Sequence, residues 1–280
     1  MSESFDADIE FQKLRAGRDD IDLVQAMLEV ASDAYPALDT SIALVELDRL
    51  AGRVGDALLE SIHDGSLRGQ LQVVSRVLHH DEAFLGDLDN YYDPRNSYLN
   101  DVLDRRRGIP ITLSIVYQAV ANRAGLPVYG VGAPGHYIVG CQGTDETLYV
   151  DPFALGEVLT FDACRHRIEK NLGQPGVLTF EHFQPSTPQE TIARVLRNLK
   201  GAYAQQNNWP QLLKVQRRLT WLLDDEPDEH RDLALVYLRV GEGHRALNLL
   251  TKYVESCSEE NRTALEPFIK AARRMIAELN

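Results

Sequence analysis

Apolar residues recur every three to four positions through the first third of the chain, the period of helices buried along one face. Ile21, Leu23, Val24, Met27, Leu28, Val30 and Ala31 form one such face, and Ile42, Leu44, Val45, Leu47, Leu50 and Ala51 a second. A third runs through Leu67, Leu71, Val74, Val77 and Leu78. Asp19, Asp20, Asp39, Ser41 and Ser66 lie ahead of these runs, where a side-chain oxygen can accept from the unpaired N–H groups of a first turn. Residues 1–90 thus read as an amino-terminal helical region, ended by the turn-forming Tyr91-Tyr92-Asp93-Pro94-Arg95-Asn96.

The pattern changes in residues 91–175. Ile109 to Ala124 is a continuous apolar helical run with Pro110 at its first position and Gly125 just past its end. Three short β-like runs follow, 128–133, 136–142 and 147–153, separated by Pro134-Gly135 and by Gly143-Thr144-Asp145. A helix packed on an antiparallel sheet makes this an α+β core. The Gly- and Pro-rich passage 171–188 breaks the periodicity and supplies a linker at 176–188. From 189 to 280 the chain is helical again and repeats itself. Leu199, Ala202 and Tyr203 return as Leu233, Val236 and Tyr237, while Leu212 and Leu219 return as Ala246 and Tyr253, always 34 residues on. That period is the length of a tetratricopeptide helix pair, with Asn207-Asn208 and Gly241 in the turns.

Composition narrows the function classes. With 42 acidic against 29 basic side chains the formal charge is −13, a field that repels nucleic acid. No apolar run is long enough to cross a membrane, and acids stand where a secretory leader carries Lys or Arg. Cys141, Cys164 and Cys257 are odd in number, widely spaced and without a CxxC, which suits a reducing compartment. A cytoplasmic location is expected. His79-His80 point about 100° apart on a helix and make a poor metal pair, and no nucleotide or zinc motif is present. No metal or cofactor is expected.

The chemistry-bearing residues lie in the middle segment. Thiol enzymes of the papain type set a Cys at a helix amino terminus, a His on a neighbouring strand and an Asp or Asn on the next. The order helix, His136, Asp151 is present here. Asn96-Ser97-Tyr98-Leu99-Asn100, Arg106-Arg107-Gly108-Ile109-Pro110-Ile111, Gly135-His136-Tyr137 and Val150-Asp151-Pro152-Phe153 resemble the signature of the SirB family. The resemblance begins near residue 40 and is strongest over 96–153. It implies a transglutaminase-like (papain-like) domain followed by tetratricopeptide-type repeats. In active transglutaminase-like enzymes a Gly-x-Cys-x-x-x-Ala segment opens the helix and a Gly-x-Pro follows it. Laid on that pattern, Gly108 takes the Gly, Ser114 the Ala and Gly125-Leu126-Pro127 the exit. The cysteine position falls on Pro110, which has neither a nucleophile nor an N–H.

His136 and Asp151 are therefore a remnant dyad whose roles stay open between a hydrogen bond that braces the hairpin, a ligand contact, and catalysis. Arg106, Arg107, Tyr98, Pro110 and Ser114 are the candidates for a groove beside them, with Tyr91 and Tyr92 on the same rim. Arg105-Arg106-Arg107 is either an anion-binding rim or a solvated, salt-bridged face. The leading expectation is a non-catalytic adaptor, a pseudoenzyme, that binds a protein or peptide through the groove and the repeats. The rival is an amide-bond hydrolase or acyl-transfer enzyme with His136 as base and Asp151 as its orienter.

Overall fold

The computed structural model describes Phe5, residues 7–60 and residues 65–278. Part of the acidic amino-terminal stretch lies outside the described residues. The chain divides into two compact units: Asp20–Val195, and the described residues up to Asp19 together with those from Leu196 onward. The short helix α1 (Ile9–Arg15) belongs to the second of these.

In the unit Asp20–Val195, the three early faces form α2 (Leu23–Ser32), α3 (Thr40–Glu60) and α4 (Leu67–Ser75), the last continued by a π-helical segment, Arg76–Asp81. Asp22 and Ser66 cap α2 and α4, accepting from Gln25 N–H at 3.0 Å and Gly69 N–H at 3.1 Å. A two-residue parallel pair, β1 (Leu85–Gly86) and β2 (Arg107–Gly108), brackets α5 (Leu99–Arg105). The central helix α6 (Pro110–Arg123) is buried on nearly every side, which is why its apolar run lacks a polar face. Pro110 occupies its first turn, and Gly125 takes a left-handed φ of 85° just beyond its end.

Strands β3 (Tyr129–Val131), β4 (Ile138–Gln142), β5 (Thr147–Asp151) and β6 (Glu157–Thr160) form an antiparallel meander in that order. The register pairs Gly130 with Val139 and Val139 with Val150. The expected strands are present, and β6 adds a fourth. The meander packs on α6 and on α7 (Phe161–Leu172), which is opened by the Thr160 cap and closed by Gly173 at φ 66°. Gly and Pro interrupt the sequence at 173–188, yet this stretch reaches back into the core. Leu178 and Phe183 are buried, and Phe183 packs edge-on to Tyr149 and Phe161 at 5.4 and 5.0 Å between ring centroids. Each such aromatic pair adds about 0.5–1.5 kcal/mol beyond the area it buries.

The unit boundary falls within α8 (Pro188–Gln205). The helical repeat follows as α9 (Trp209–Leu222), α10 (Pro227–Arg239), α11 (Gly243–Ser256) and α12 (Glu259–Glu278). The 34-residue offset reappears in the turns. Asn207 and Gly241 both have positive φ, 54° and 83°. The following N–H groups close the same bond, Asn208 to Tyr203 O at 2.9 Å and Glu242 to Tyr237 O at 2.8 Å. Helix α1 packs on α9, where buried Arg218 binds the Asp8 carboxylate at 2.8 Å and lies over the rings of Phe5 and Phe11. No helix among the described residues is long and apolar enough to cross a membrane.

Candidate functional site

The site is assembled at the open end of the meander, where β4 begins and β5 ends. Pro134-Gly135 makes the turn into β4, with Gly135 at φ 70° and His136 N–H donating to Ala133 O at 3.1 Å. Arg194 holds this turn from α8, donating to Ala133 O at 3.1 Å and to His136 O at 2.9 Å. Its guanidinium lies 5.6 Å from the Tyr137 ring centroid, and burial lowers its pKa. The Tyr137 hydroxyl in turn bonds Thr191 Oγ1 at 2.8 Å. The backbone on either side of His136 is thus fixed by side chains from another helix.

His136 Nε2 donates to Asp151 Oδ2 at 2.9 Å. Asp151 is 3 % exposed, and its other oxygen accepts from Phe153 N–H at 3.1 Å and Ala154 N–H at 3.2 Å, capping the 3₁₀ turn Pro152–Ala154. Arg167 approaches Oδ2 at 3.9 Å. With Nε2 facing the carboxylate, Nδ1 is left as the imidazole's other polar atom, the one a nucleophile would need. Phe153 stands edge-on to His136 at 6.5 Å and to Tyr91 at 6.3 Å, and Tyr91 lies against Tyr92 at 5.3 Å. Tyr91 and Tyr92 are exposed, so an aromatic rim borders the dyad. Behind the rim, backbone packs tightly: a Cβ on Gly86 would come within 2.5 Å of the Phe153 ring.

The remaining expected site residues take other positions. Pro110 is buried at the mouth of α6. There the Thr112 hydroxyl accepts from Ile109 N–H at 3.1 Å and donates to Asn96 O at 2.7 Å. Ser114 is fully buried and donates to Tyr137 O at 3.2 Å, so its oxygen ties helix to sheet. Tyr98 is also buried, edge-on to Tyr35 at 5.6 Å. Arg106, at a left-handed φ of 57°, pairs with Glu46 and Glu82 and covers the Phe84 ring at 4.6 Å. Hydrogen bonds from Arg49 first, and then from Arg106, hold the Glu46 carboxyl down at about 2. Arg107 is half-buried, its backbone paired with Leu85. The geometry therefore joins His136 to Asp151 and surrounds them with Phe153, Tyr91 and Arg194. It does not bring Tyr98, Ser114 or Arg106 to that rim.

No thiol among the described residues hydrogen-bonds His136. Cys141 donates to Pro127 O at 3.2 Å, and burial raises its pKa. Cys164 is pushed up to about 12 by burial and then by the charge of Asp151. Both are protonated at neutral pH, the state in which sulfur is a poor nucleophile. His79 is buried, its Nδ1 donating to Phe84 O at 2.8 Å, whereas His80 is exposed.

Two residue roles escaped the sequence reading. Arg194 sits among helical residues with no local mark of its task. Phe153 belongs to the Val150-Asp151-Pro152-Phe153 motif, and its aromatic type after a turn was the available signal.

Comparison with known proteins agrees with this layout. Residues 42–197 match the transglutaminase-like superfamily, and residues 199–278 match a tetratricopeptide repeat family. A UPF0162 protein of Xylella fastidiosa (strain 9a5c) is 35 % identical over 237 residues, covering 83 % of each chain. One from Vibrio cholerae is 24 % identical over 86 % of this chain and 88 % of its own. F-box only protein 21 of Mus musculus is 34 % identical over 110 residues, 36 % of this chain and 18 % of that protein. No solved structure gives a significant match.

Proposed function

The chain belongs to the transglutaminase-like superfamily, and from that premise we propose that it is a non-catalytic binding protein, an adaptor built on a degenerate thiol-enzyme domain. The observation that carries this reading is Pro110 at the mouth of α6, in the place of the attacking sulfur. A proline ring offers no proton and no lone pair for chemistry. The nearest helical hydroxyls, Thr112 and Ser114, are both engaged by backbone carbonyls. Asp151 binds two backbone N–H groups as well as His136, which supports a bracing role for the pair. The exposed rim of Tyr91 and Tyr92 then serves as a surface for a peptide, and the tetratricopeptide repeats supply a second. Three free cysteines accord with work in the cytoplasm.

The test is an assay of the purified chain for ammonia release and amine incorporation on a glutamine-donor protein, and for cleavage of a pooled set of fluorogenic peptide amides. The expected result is no turnover above buffer, unchanged by His136→Ala. Turnover that His136→Ala abolishes at unchanged melting temperature overturns the reading in favour of an amide-bond hydrolase or acyl-transfer enzyme.

A further inference from the structure

A groove of about 1010 Å³ opens between the turn that follows α2, the first turns of α3, and α5. Pro36, Ala37, Leu38, Ile42, Val45 and Leu103 make its apolar wall. Helix α3 turns Ala43, Leu47, Leu50, Ala51 and Val54 toward the core. Ile42 and Val45 carry the same apolar spacing in the sequence, yet they stand 69 % and 68 % exposed, one turn apart on another side of the helix. β-branched residues are weak helix formers, and apolar surface left in water costs free energy. Neither local propensity nor the core accounts for this pair. They line one groove together with exposed Pro36 and Ala37, which is the pattern of an interaction site rather than of scattered surface hydrophobes. The groove shares no residue with the His136–Asp151 site.

The polar part of the wall sets the chemistry of an occupant. Among the described residues of the wall Arg106 is the one cation, and it pairs with Glu46 and Glu82. Asp39 and Asp104 are left as the exposed charges. Hydrogen bonds from Ser41 hold the Asp39 carboxyl below its ordinary pKa, so it is ionised at neutral pH. A chain of formal charge −13 adds a long-range attraction for cations. Asn100 stands on the same wall, its Oδ1 buried and without a hydrogen-bond partner among the described residues. Such an acceptor is satisfied by a donor on whatever fills the groove. No strand among the described residues contributes to the wall. In the turn, Ala34 and Tyr35 N–H both bond Ala31 O, and Leu38 N–H bonds Tyr35 O. An extended peptide finds no sheet edge to pair with there, so the occupant has to satisfy its own backbone, as a helix does.

We propose that this groove docks an amphipathic helix of a partner protein, apolar on one face and basic along its flank. Apolar side chains at i, i+3, i+4 and i+7 of that helix lie on Leu38, Ile42, Val45 and Leu103. Its Lys or Arg side chains reach Asp39 and Asp104, and one of their N–H groups meets Asn100 Oδ1. The groove is a surface additional to the aromatic rim and the repeats, and it rests on the binding-protein reading given above.

The test is fluorescence anisotropy with the full chain and a labelled helical peptide of about 18 residues, built from Leu, Ala and Lys with the leucines on one face. Binding is expected. A peptide of the same composition with its leucines scattered round the helix, and one with Glu for Lys, are each expected to bind at least about tenfold more weakly. Val45→Asp adds a negative charge, so charge alone would tighten binding of this cationic probe. It is expected instead to weaken binding about tenfold or more, because an apolar contact is lost. Asp104→Asn is expected to weaken it about two- to fivefold, the loss of an exposed ion pair. Leu59, 88 % exposed on the same helix and outside the groove, gives the control: Leu59→Asp is expected to leave binding unchanged. All three changes fall on exposed side chains, and thermal denaturation checks that each variant folds. Equal binding of the scattered peptide, Val45→Asp binding as well as Leu59→Asp, or no binding at all overturns the proposal. Self-association of the chain alone in sedimentation velocity, abolished by Val45→Asp, overturns it in favour of a second copy in the groove. Amide turnover is read separately, so the proposal can fail while the non-catalytic reading stands.

Discussion

Replacing His136 by alanine separates a brace from a catalyst. The change removes the hydrogen bond that Nε2 gives to Asp151 Oδ2 at 2.9 Å, beneath a carboxylate that is 3 % exposed. A hydrogen bond to a charged group contributes about 1.5–3 kcal/mol, and a buried charge that loses a partner costs more than the bond alone. Asp151 nevertheless keeps two backbone N–H donors and the nearby Arg167, so the carboxylate is not stranded. The expected loss is at the lower end, about 1.5–2 kcal/mol. For a unit of this size it lowers the melting temperature by about 3–8 °C. Asp151→Ala also removes the cap on the 3₁₀ turn and costs more. In a thermal-denaturation cycle of the two single variants and the double variant, the two effects overlap by about 1–2 kcal/mol, as expected for groups in contact. Trp209 and Trp221 both belong to the repeat unit, so their fluorescence follows that unit, while far-ultraviolet ellipticity follows the whole chain. A melting temperature unchanged by His136→Ala, or fully additive losses in the cycle, refutes the bracing argument.

Three further outcomes follow from the same geometry. Ser114→Ala removes one buried hydrogen bond and lowers stability by about 1 kcal/mol, read by urea denaturation, with no effect on peptide binding. Gly86→Ala drives a methyl to within 2.5 Å of the Phe153 ring, and the forced shift costs about 1–3 kcal/mol in the same measurement. Burial holds the His79 pKa below 6.5, opposed first by its hydrogen bond to Phe84 O and only then by the charge of Asp151, so the unfolded chain takes up a proton that the native state refuses. Stability conferred by neutral His79 is fully present above pH 6.5 and declines as the pH falls below it. His79→Asn keeps a donor for Phe84 O and flattens the denaturation profile between about pH 5 and 7.

Much of the architecture was legible because its signals are local. Pro110 and Gly125 mark the two ends of α6 through the conformations each ring or bare Cα allows, and Pro134-Gly135 marks the entry to β4. The 34-residue offset survives into the turns at Asn207 and Gly241. Helix α7 and strand β6 were harder. Helix α7 buries only Cys164, Ile168 and Glu169, so its apolar stripe is thin, and Thr160 and Gly173 were its readable ends. Tyr98 and Ser114 looked like groove residues because they sit beside the motif in sequence. Their burial depends on Tyr35 and on the Tyr137 carbonyl, far away along the chain.

By itself the sequence determined the order of elements and the 34-residue repeat, which follow from residue type and spacing, while its resemblance to a known family implied the transglutaminase-like layout and put Pro110 at the position of a nucleophile. Only the tertiary structure decided that Asp151 reaches His136 from 15 residues away and that Arg194 clamps the turn leading into His136. Hydrogen bonds and charges act over a few ångströms of space, and which residues share those ångströms is set by how the helices and the meander pack.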